Sequence, residues 1–225
     1  MNKYDLCAVI PARLGSTRVE RKVLQEIFPG VSLLKNKIDQ LAKVLPKKSI
    51  IVNTESREIA QHIENEGVII HFRDPYFADA HKASWSELIE HVVLRIEAEH
   101  IAWAPCVCPF FDEHEFIESF SNYEENVING PYDSLVSVTS LRSYVWSNEG
   151  AINYSPNKEC TFSQDLPAWY EVTNGNYMAP KKLMLDYAYV LGEAPFLDIR
   201  SQKCKIDIDT TTDMHLARAF GQIEK

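Results

Sequence analysis

Three stretches of this chain carry side chains whose types and spacing suit chemistry on a phosphorylated ligand. The first is residues 10–22, Ile-Pro-Ala-Arg-Leu-Gly-Ser-Thr-Arg-Val-Glu-Arg-Lys. Arg13, Arg18 and Lys22 set cations along one short segment, and Gly15, Ser16 and Thr17 add room for close approach, hydroxyls and amides. Such groups can grip a triphosphate and offset the charge that develops as pyrophosphate departs. The spacing is neither a Walker A loop nor a GxGxxG fingerprint, and charge alone is equally compatible with a solvated basic loop. The second stretch is residues 206–213, Ile-Asp-Ile-Asp-Thr-Thr-Thr-Asp. Strand alternation would put Asp207 and Asp209 on one face. Two carboxylates completed by phosphate oxygens and water are what Mg²⁺ prefers beside a nucleoside triphosphate. The plainer reading is an acidic strand end with Thr210-x-x-Asp213 capping the last helix. The third comprises Ser163-Gln164-Asp165-Leu166-Pro167 and Asn174-Gly175-Asn176-Tyr177. Gln164 and Asn174 there carry polar amide side chains, and spacing alone reads as a Pro turn followed by an Asn-Gly turn.

The elements that must position these groups follow from periodicity. Leu6 to Ile10 is an apolar run closed by Pro11, which sets the cationic loop at the carboxyl end of a first strand, the edge where open α/β sheets bind ligands. Leu34, Ile38, Leu41 and Leu45 form the stripe of an amphipathic helix ended by Pro46, and residues 49–53 read as a buried strand. Ile59 and Ile63 mark a helix ending at Gly67, followed by a strand at 68–71. Ser84-x-x-Glu87 is a capping box opening a third helix, which leads to a strand near 101–104. Strand and helix alternate, which predicts a mostly parallel sheet with helices on both faces. Beyond Pro109 the pattern predicts a helix over 112–123, a strand over 134–139, a helix over 180–187, strands over 196–199 and 205–208, and a last helix over 212–220. Residues 140–175 lack a clear period and are expected to form an excursion, either a lid or an element packed on a partner subunit.

Composition bounds the possibilities. A chain of 225 residues suits a single domain, 1–225, with that excursion at about 140–175. The formal charge of −9 offers no broad cationic surface for polymeric nucleic acid, while the local cluster near the N-terminus still suits a small polyanion. No apolar run reaches the roughly 18 residues of a membrane span. The five cysteines are odd in number and irregularly spaced, and the first residues hold too short an apolar run for a signal peptide, so a reducing cytoplasm is expected. Cys106 and Cys108 lack the gap of a redox or zinc knuckle and are expected to be small buried thiols.

The segment I-P-A-R-x-G-S-x-R at 10–18 resembles the signature of the acylneuraminate (CMP-sialic acid) cytidylyltransferases and related CMP-ulosonate synthetases. That family usually continues Pro-Gly-Lys-Asn, where this chain has Glu20, Arg21, Lys22 and Val23 and keeps only the lysine. Its late D-I-D-T-x-x-D block is similar to residues 207–213, and its R-Q-x-L-P and N-G-x-x-Y segments to 163–167 and 174–177. The resemblance implies an α/β, Rossmann-like nucleotidyltransferase sandwich with a mostly parallel central sheet and a small excursion for dimerisation. It also implies that the anomeric hydroxyl of a nonulosonate-like sugar acid attacks the α-phosphorus of CTP, giving a CMP-sugar and pyrophosphate. Position by position, it assigns charge stabilisation to Arg13 and Lys22. Nucleotide contacts fall to Ala12, Arg13, Gly15, Ser16, Arg18, Lys22 and Arg73, acceptor contacts to Gln164 and Asn174, and Mg²⁺ to Asp207 and Asp209. Arg73, which stands where relatives carry an Arg-Pro turn, is otherwise a surface arginine. The expected partners are CTP, a small sugar acid and a second copy of the chain. Pro105 and Val107 stand where the family commonly has the Gln and Thr of a Q-P-T-S-P-type turn, a departure that opens the way to an acceptor other than N-acetylneuraminate. Two alternatives stay open: the same fold acting on another acceptor or nucleotide, and a non-catalytic nucleotide-binding relative.

Overall fold

Strand β1 (Leu6–Pro11) is buried on both faces, with Leu6, Ala8 and Ile10 entering one hydrophobic cluster and Cys7 and Val9 the other. This is the pattern of a central parallel strand covered by helices on both sides. A computed structural model describes residues 4–16 and 18–223, so Thr17 of the cationic loop lies outside the described residues. The remaining strands are β2 (Glu26–Phe28), β3 (Val31–Ser32), β4 (Ile50–Thr54), β5 (Ile69–Phe72), β6 (His100–Trp103), β7 (Ser134–Leu141), β8 (Trp146–Ser147), β9 (Gly150–Ala151), β10 (Trp169–Pro180) and β11 (Pro195–Ile199). The helices are α1 (Leu33–Ala42), α2 (Arg57–His62), α3 (Trp85–Val93), α4 (Glu113–Tyr123), α5 (Lys181–Tyr187) and α6 (Thr211–Ile223).

Seven strands form one sheet in the order β11-β7-β10-β6-β1-β4-β5. The pairs β1–β4, β1–β6, β4–β5 and β7–β11 are parallel, and only β10 runs antiparallel to its neighbours. Leu33, Leu34, Ile38 and Leu41 of α1, Phe116 of α4 and Met214 of α6 fill one face. Ile89, Val92 and Val93 of α3 and Met184 of α5 fill the other. The expected sandwich is thus observed, and the Ser84–Glu87 capping box opens α3 as its sequence requires.

Two expectations are corrected. Residues 205–208 are not a strand: Gln202–Lys205 form a 3₁₀ turn, and residues 206–209 run on without sheet pairing. The Ile-Asp-Ile-Asp alternation is met by an extended loop, which buries Ile208 and ties its N–H to the Val107 carbonyl at 3.0 Å. The excursion is also shorter than expected, because residues 169–175 belong to the long strand β10, leaving 142–168 with the small β8–β9 hairpin. The Asn-Gly pair accordingly forms no hairpin turn. It sits in a β10 bulge where residues 173–176 stand opposite the single Ser137 of β7. The Ser137 hydroxyl meets that of Thr173 at 2.7 Å and accepts the Asn176 amide at 3.0 Å, which fixes the irregularity.

Candidate active site

The parallel strands β1, β5 and β6 end at one edge of the sheet, and the segments that follow them enclose a cavity of about 540 Å³. That volume lies within the range of small-molecule sites, and its location obeys the rule for open α/β sheets. Its polar members are Arg13, Arg73, Ser84, Asn174, Asp207 and Asp209. The opposite wall is apolar, with Phe77, Trp85 and Leu88 from the segment after β5 and Pro105 and Val107 from the turn after β6. A second groove of about 640 Å³, bordered by Asn36, Gln40 and Pro109, contains none of the residues singled out in the sequence.

Asp207 and Asp209 face this cavity together although no strand carries them. Burying Ile208 between them turns both carboxylates the other way. Asn174 Nδ2 donates to Asp207 Oδ2 at 2.5 Å, and the Tyr177 hydroxyl donates to Asn174 Oδ1 at 2.8 Å. The other Asp207 oxygen, Oδ1, is buried with no hydrogen-bond partner among the described residues. Burial pushes the Asp207 carboxyl above the ordinary carboxylate range; Asp209 adds to this, while the Asn174 hydrogen bond and Lys22 oppose it. Asp213 is a cap, as its spacing predicts: Oδ2 accepts the Thr210 amide at 2.7 Å and the Asp209 amide at 3.1 Å, fixing the chain just beyond the acids.

The cations arrive from the loop after β1. Arg18 Nη2 lies 2.9 Å and Lys22 Nζ 3.4 Å from Asp209 Oδ1, and Lys22 also donates to the Ile208 carbonyl at 2.6 Å. The two distant motifs are therefore one cluster. Arg18 and Asp209 are well exposed, so their pair contributes about 1 kcal/mol at most and is free to exchange partners. Arg13 lines the cavity and donates to the Ala78 carbonyl at 2.9 Å. Ala12 is fully buried, with its amide bonded to Asn53 and its carbonyl accepting from Arg73. Gly15 is exposed and Ser16 partly so; neither borders the cavity, and among the described residues a Cβ at Gly15 would meet nothing within 4 Å.

Arg73 is not a surface arginine. Its side chain is 2% exposed, paired with Glu55 at 3.1 Å and bonded to Asn53 Oδ1 at 2.9 Å. Glu55 in turn accepts the Leu14 amide at 2.8 Å, so the Arg73–Glu55 pair braces the start of the cationic loop. Sequence reasoning missed Glu55, whose signal was an acidic residue directly after the last residue of β4. It also missed the apolar wall formed by Phe77, Trp85 and Leu88. Gln164 is not brought to the cavity: it lies exposed in a 3₁₀ turn of the excursion, with its carbonyl held by Arg142 at 3.0 Å. Cys7, Cys106, Cys108 and Cys204 are free and buried, as expected for the 106/108 pair, whereas Cys160 is exposed.

A mostly parallel sheet with cations and paired acids at its carboxyl edge defines the class, a nucleotidyltransferase fold. More narrowly, the chain belongs to the cytidylyltransferase family, whose model matches residues 7–222. Among curated proteins it is similar to the 3-deoxy-manno-octulosonate cytidylyltransferase of Rickettsia bellii, in strains OSU 85-389 and RML369-C. The identity is 39% over 74 residues, which is 33% of this chain and only 30% of the length of these relatives. Among solved structures, a CMP:2-keto-3-deoxy-manno-octonic acid synthetase complexed with CTP superposes with a TM-score of 0.70 at 15% identity, covering 98% of this chain and 100% of that one. A 4-diphosphocytidyl-2C-methyl-D-erythritol synthase from Anaerococcus prevotii does so with 0.69 at 14% identity, again covering 98% and 100%. At such identities the likeness is one of fold. No helix among the described residues is long and apolar enough to cross a membrane.

Proposed function

We propose that this chain transfers the cytidylyl group of CTP to the anomeric hydroxyl of an ulosonate, releasing pyrophosphate. One observation carries the reading: Asp207 and Asp209 share a cleft edge with Arg18 and Lys22, and the buried Asp207 Oδ1 has no partner among the described residues. A hard divalent cation fits this donor set, in which two carboxylates need only phosphate oxygens and water to complete an octahedron. Mg²⁺ held by Asp207 and Asp209 would draw negative charge from the triphosphate and from the departing pyrophosphate.

The chain's own groups supply the remainder. Arg18 and Lys22 exchange Asp209 for phosphate oxygens, and Arg13 adds a third positive group at the cavity wall. All three stabilise charge that grows as the α-phosphorus to β-oxygen bond breaks. Arg73 contributes by fixing the Ala12 carbonyl and Glu55, and through Glu55 the Leu14 amide, so that the loop is preorganised before the ligand arrives. Asn174 orients Asp207 and presents its exposed side to the acceptor.

The curated relatives are named for a 3-deoxy-octulosonate, which supports an ulosonate acceptor. The apolar positions Pro105 and Val107 favour one other than N-acetylneuraminate. We further propose a homodimer formed through the excursion and β10, where Trp146, Phe162 and Val172 are 59%, 73% and 55% exposed, and action in the cytoplasm, which the free cysteines suit. Pyrophosphate release measured with each of the four nucleoside triphosphates and with octulosonate and nonulosonate acceptors tests the reading. Release confined to CTP plus an ulosonate is expected; release with UTP or ATP, or with no pair at all, would overturn it.

A further inference from the structure

Helix α1 turns a second, polar stripe into the protein. Asn36, Lys37 and Gln40 are all buried, and Lys37 is fully so. Lys37 Nζ donates to the carbonyls of Cys108 and Phe111, each at 3.1 Å. It also lies 4.9 Å from the ring centre of Phe116 and 5.7 Å from that of Phe111. Asn36 and Gln40 both donate to the Pro109 carbonyl, at 3.0 and 2.6 Å. One helix face thus grips three carbonyls of a single turn. Lys37 makes no ion pair with a carboxylate among the described residues. A buried ammonium without a counter-charge costs stability that an apolar side chain of similar length would not, so packing alone does not account for it.

The clamped turn leads to the acids. Its Val107 carbonyl accepts the Ile208 N–H at 3.0 Å, and Ile208 is the buried residue between Asp207 and Asp209. Pro105 and Val107 of the same turn also line the cavity. A continuous series of fixed contacts therefore runs from Lys37 through Cys108 and Val107 to Ile208 and the two carboxylates.

We infer that Lys37 is a positioning residue for the divalent-cation site, setting from behind the turn on which the Asp207–Asp209 segment is seated. This rests on the reading of Asp207 and Asp209 as metal ligands. The test is Mn²⁺ binding by electron paramagnetic resonance, alongside thermal melting, for the full chain and its K37M, K37Q and N36A/Q40A variants, with D207N as control. The expected result is cooperative melting with Mn²⁺ affinity about tenfold weaker in K37M, as for the loss of an outer-sphere support. K37Q, which keeps an N–H donor group without the charge, should recover part of that loss, and CTP binding in chelator should be unchanged. If K37M does not fold, K37Q and N36A/Q40A carry the same comparison. Unchanged Mn²⁺ affinity in the folded variants overturns the inference alone. Failure of the unmodified chain to bind Mn²⁺ more tightly than D207N overturns the metal reading, and the inference with it.

Discussion

Asn174 Nδ2 donates to Asp207 Oδ2 at 2.5 Å across 33 residues of sequence, joining the bulge of β10 to the acidic loop before α6. Neither residue lies in regular pairing at that point, so the contact depends on what holds the bulge. Its next residue, Gly175, supplies part of the answer. A Cβ there would stand 2.2 Å from Phe111 Cδ2, well inside contact distance.

Gly175→Ala is therefore expected to destabilise the fold by about 1–3 kcal/mol through overpacking, and to displace Asn174 from Asp207. Denaturant melts check this, and a double-mutant cycle with Phe111→Leu should recover much of the loss. Purely additive losses would mean that the close approach is not the cause.

Arg21 has φ 51° and ψ 34°, the left-handed region that favours glycine, and it stands where the resemblance noted in the sequence would put the glycine of Pro-Gly-Lys-Asn. The loop thus keeps a glycine-like turn without the glycine. Its ion pair with Glu58 is exposed on both sides and contributes little. Arg21→Gly is expected to be at least as stable as the parent, and Arg21→Ile less stable than Arg21→Gly by about 1–2 kcal/mol. Both variants lose the Glu58 pair, so their order in a thermal melt isolates the backbone effect.

Arg73 and Glu55 form a nearly dry pair, 2% and 13% exposed. Arg73→Met should cost about 3–5 kcal/mol, because it leaves a buried carboxylate uncompensated. Adding Glu55→Gln should restore a large part of it. Chemical denaturation of the parent and the two variants checks the order.

Burial lowers the Lys37 pKa from 10.5 to about 8. Between these values the unfolded chain binds more protons at this site than the folded one, so the contribution to stability rises with pH. The cost of burying the charge is complete below about pH 8 and is relieved as the pH approaches 10.5. Relative to K37M, the parent should gain on the order of 3 kcal/mol between pH 7 and 10.5, read from denaturant midpoints. A pH-independent difference would contradict the lowered pKa.

Much of this architecture was legible in the residues because local signals and tertiary context agree. The run at Leu6 to Ile10, the stripe of α1, the Ser84–Glu87 capping box and the cap at Asp213 each form as their spacing requires. The Asp207–Asp209 alternation gave the correct facing for the wrong reason, since period two is a property of any extended chain and does not require a sheet partner. Gln164 and the limits of the excursion were not legible, because whether residues 169–175 pair is decided by β7, a partner distant in sequence. The polar stripe of Asn36, Lys37 and Gln40 was invisible for a similar reason: its acceptors are backbone carbonyls about 70 residues away, and these carry no sequence signal.

The most direct test is a magnesium titration of pyrophosphate release from CTP and an ulosonate, run on the parent chain and on Asp207→Asn. The account expects saturable magnesium-dependent release by the parent, and a loss of roughly 10²–10³-fold in the variant at any magnesium concentration, with its melting temperature preserved. Equal release by the two proteins, or release by the parent that persists in chelator, would contradict it.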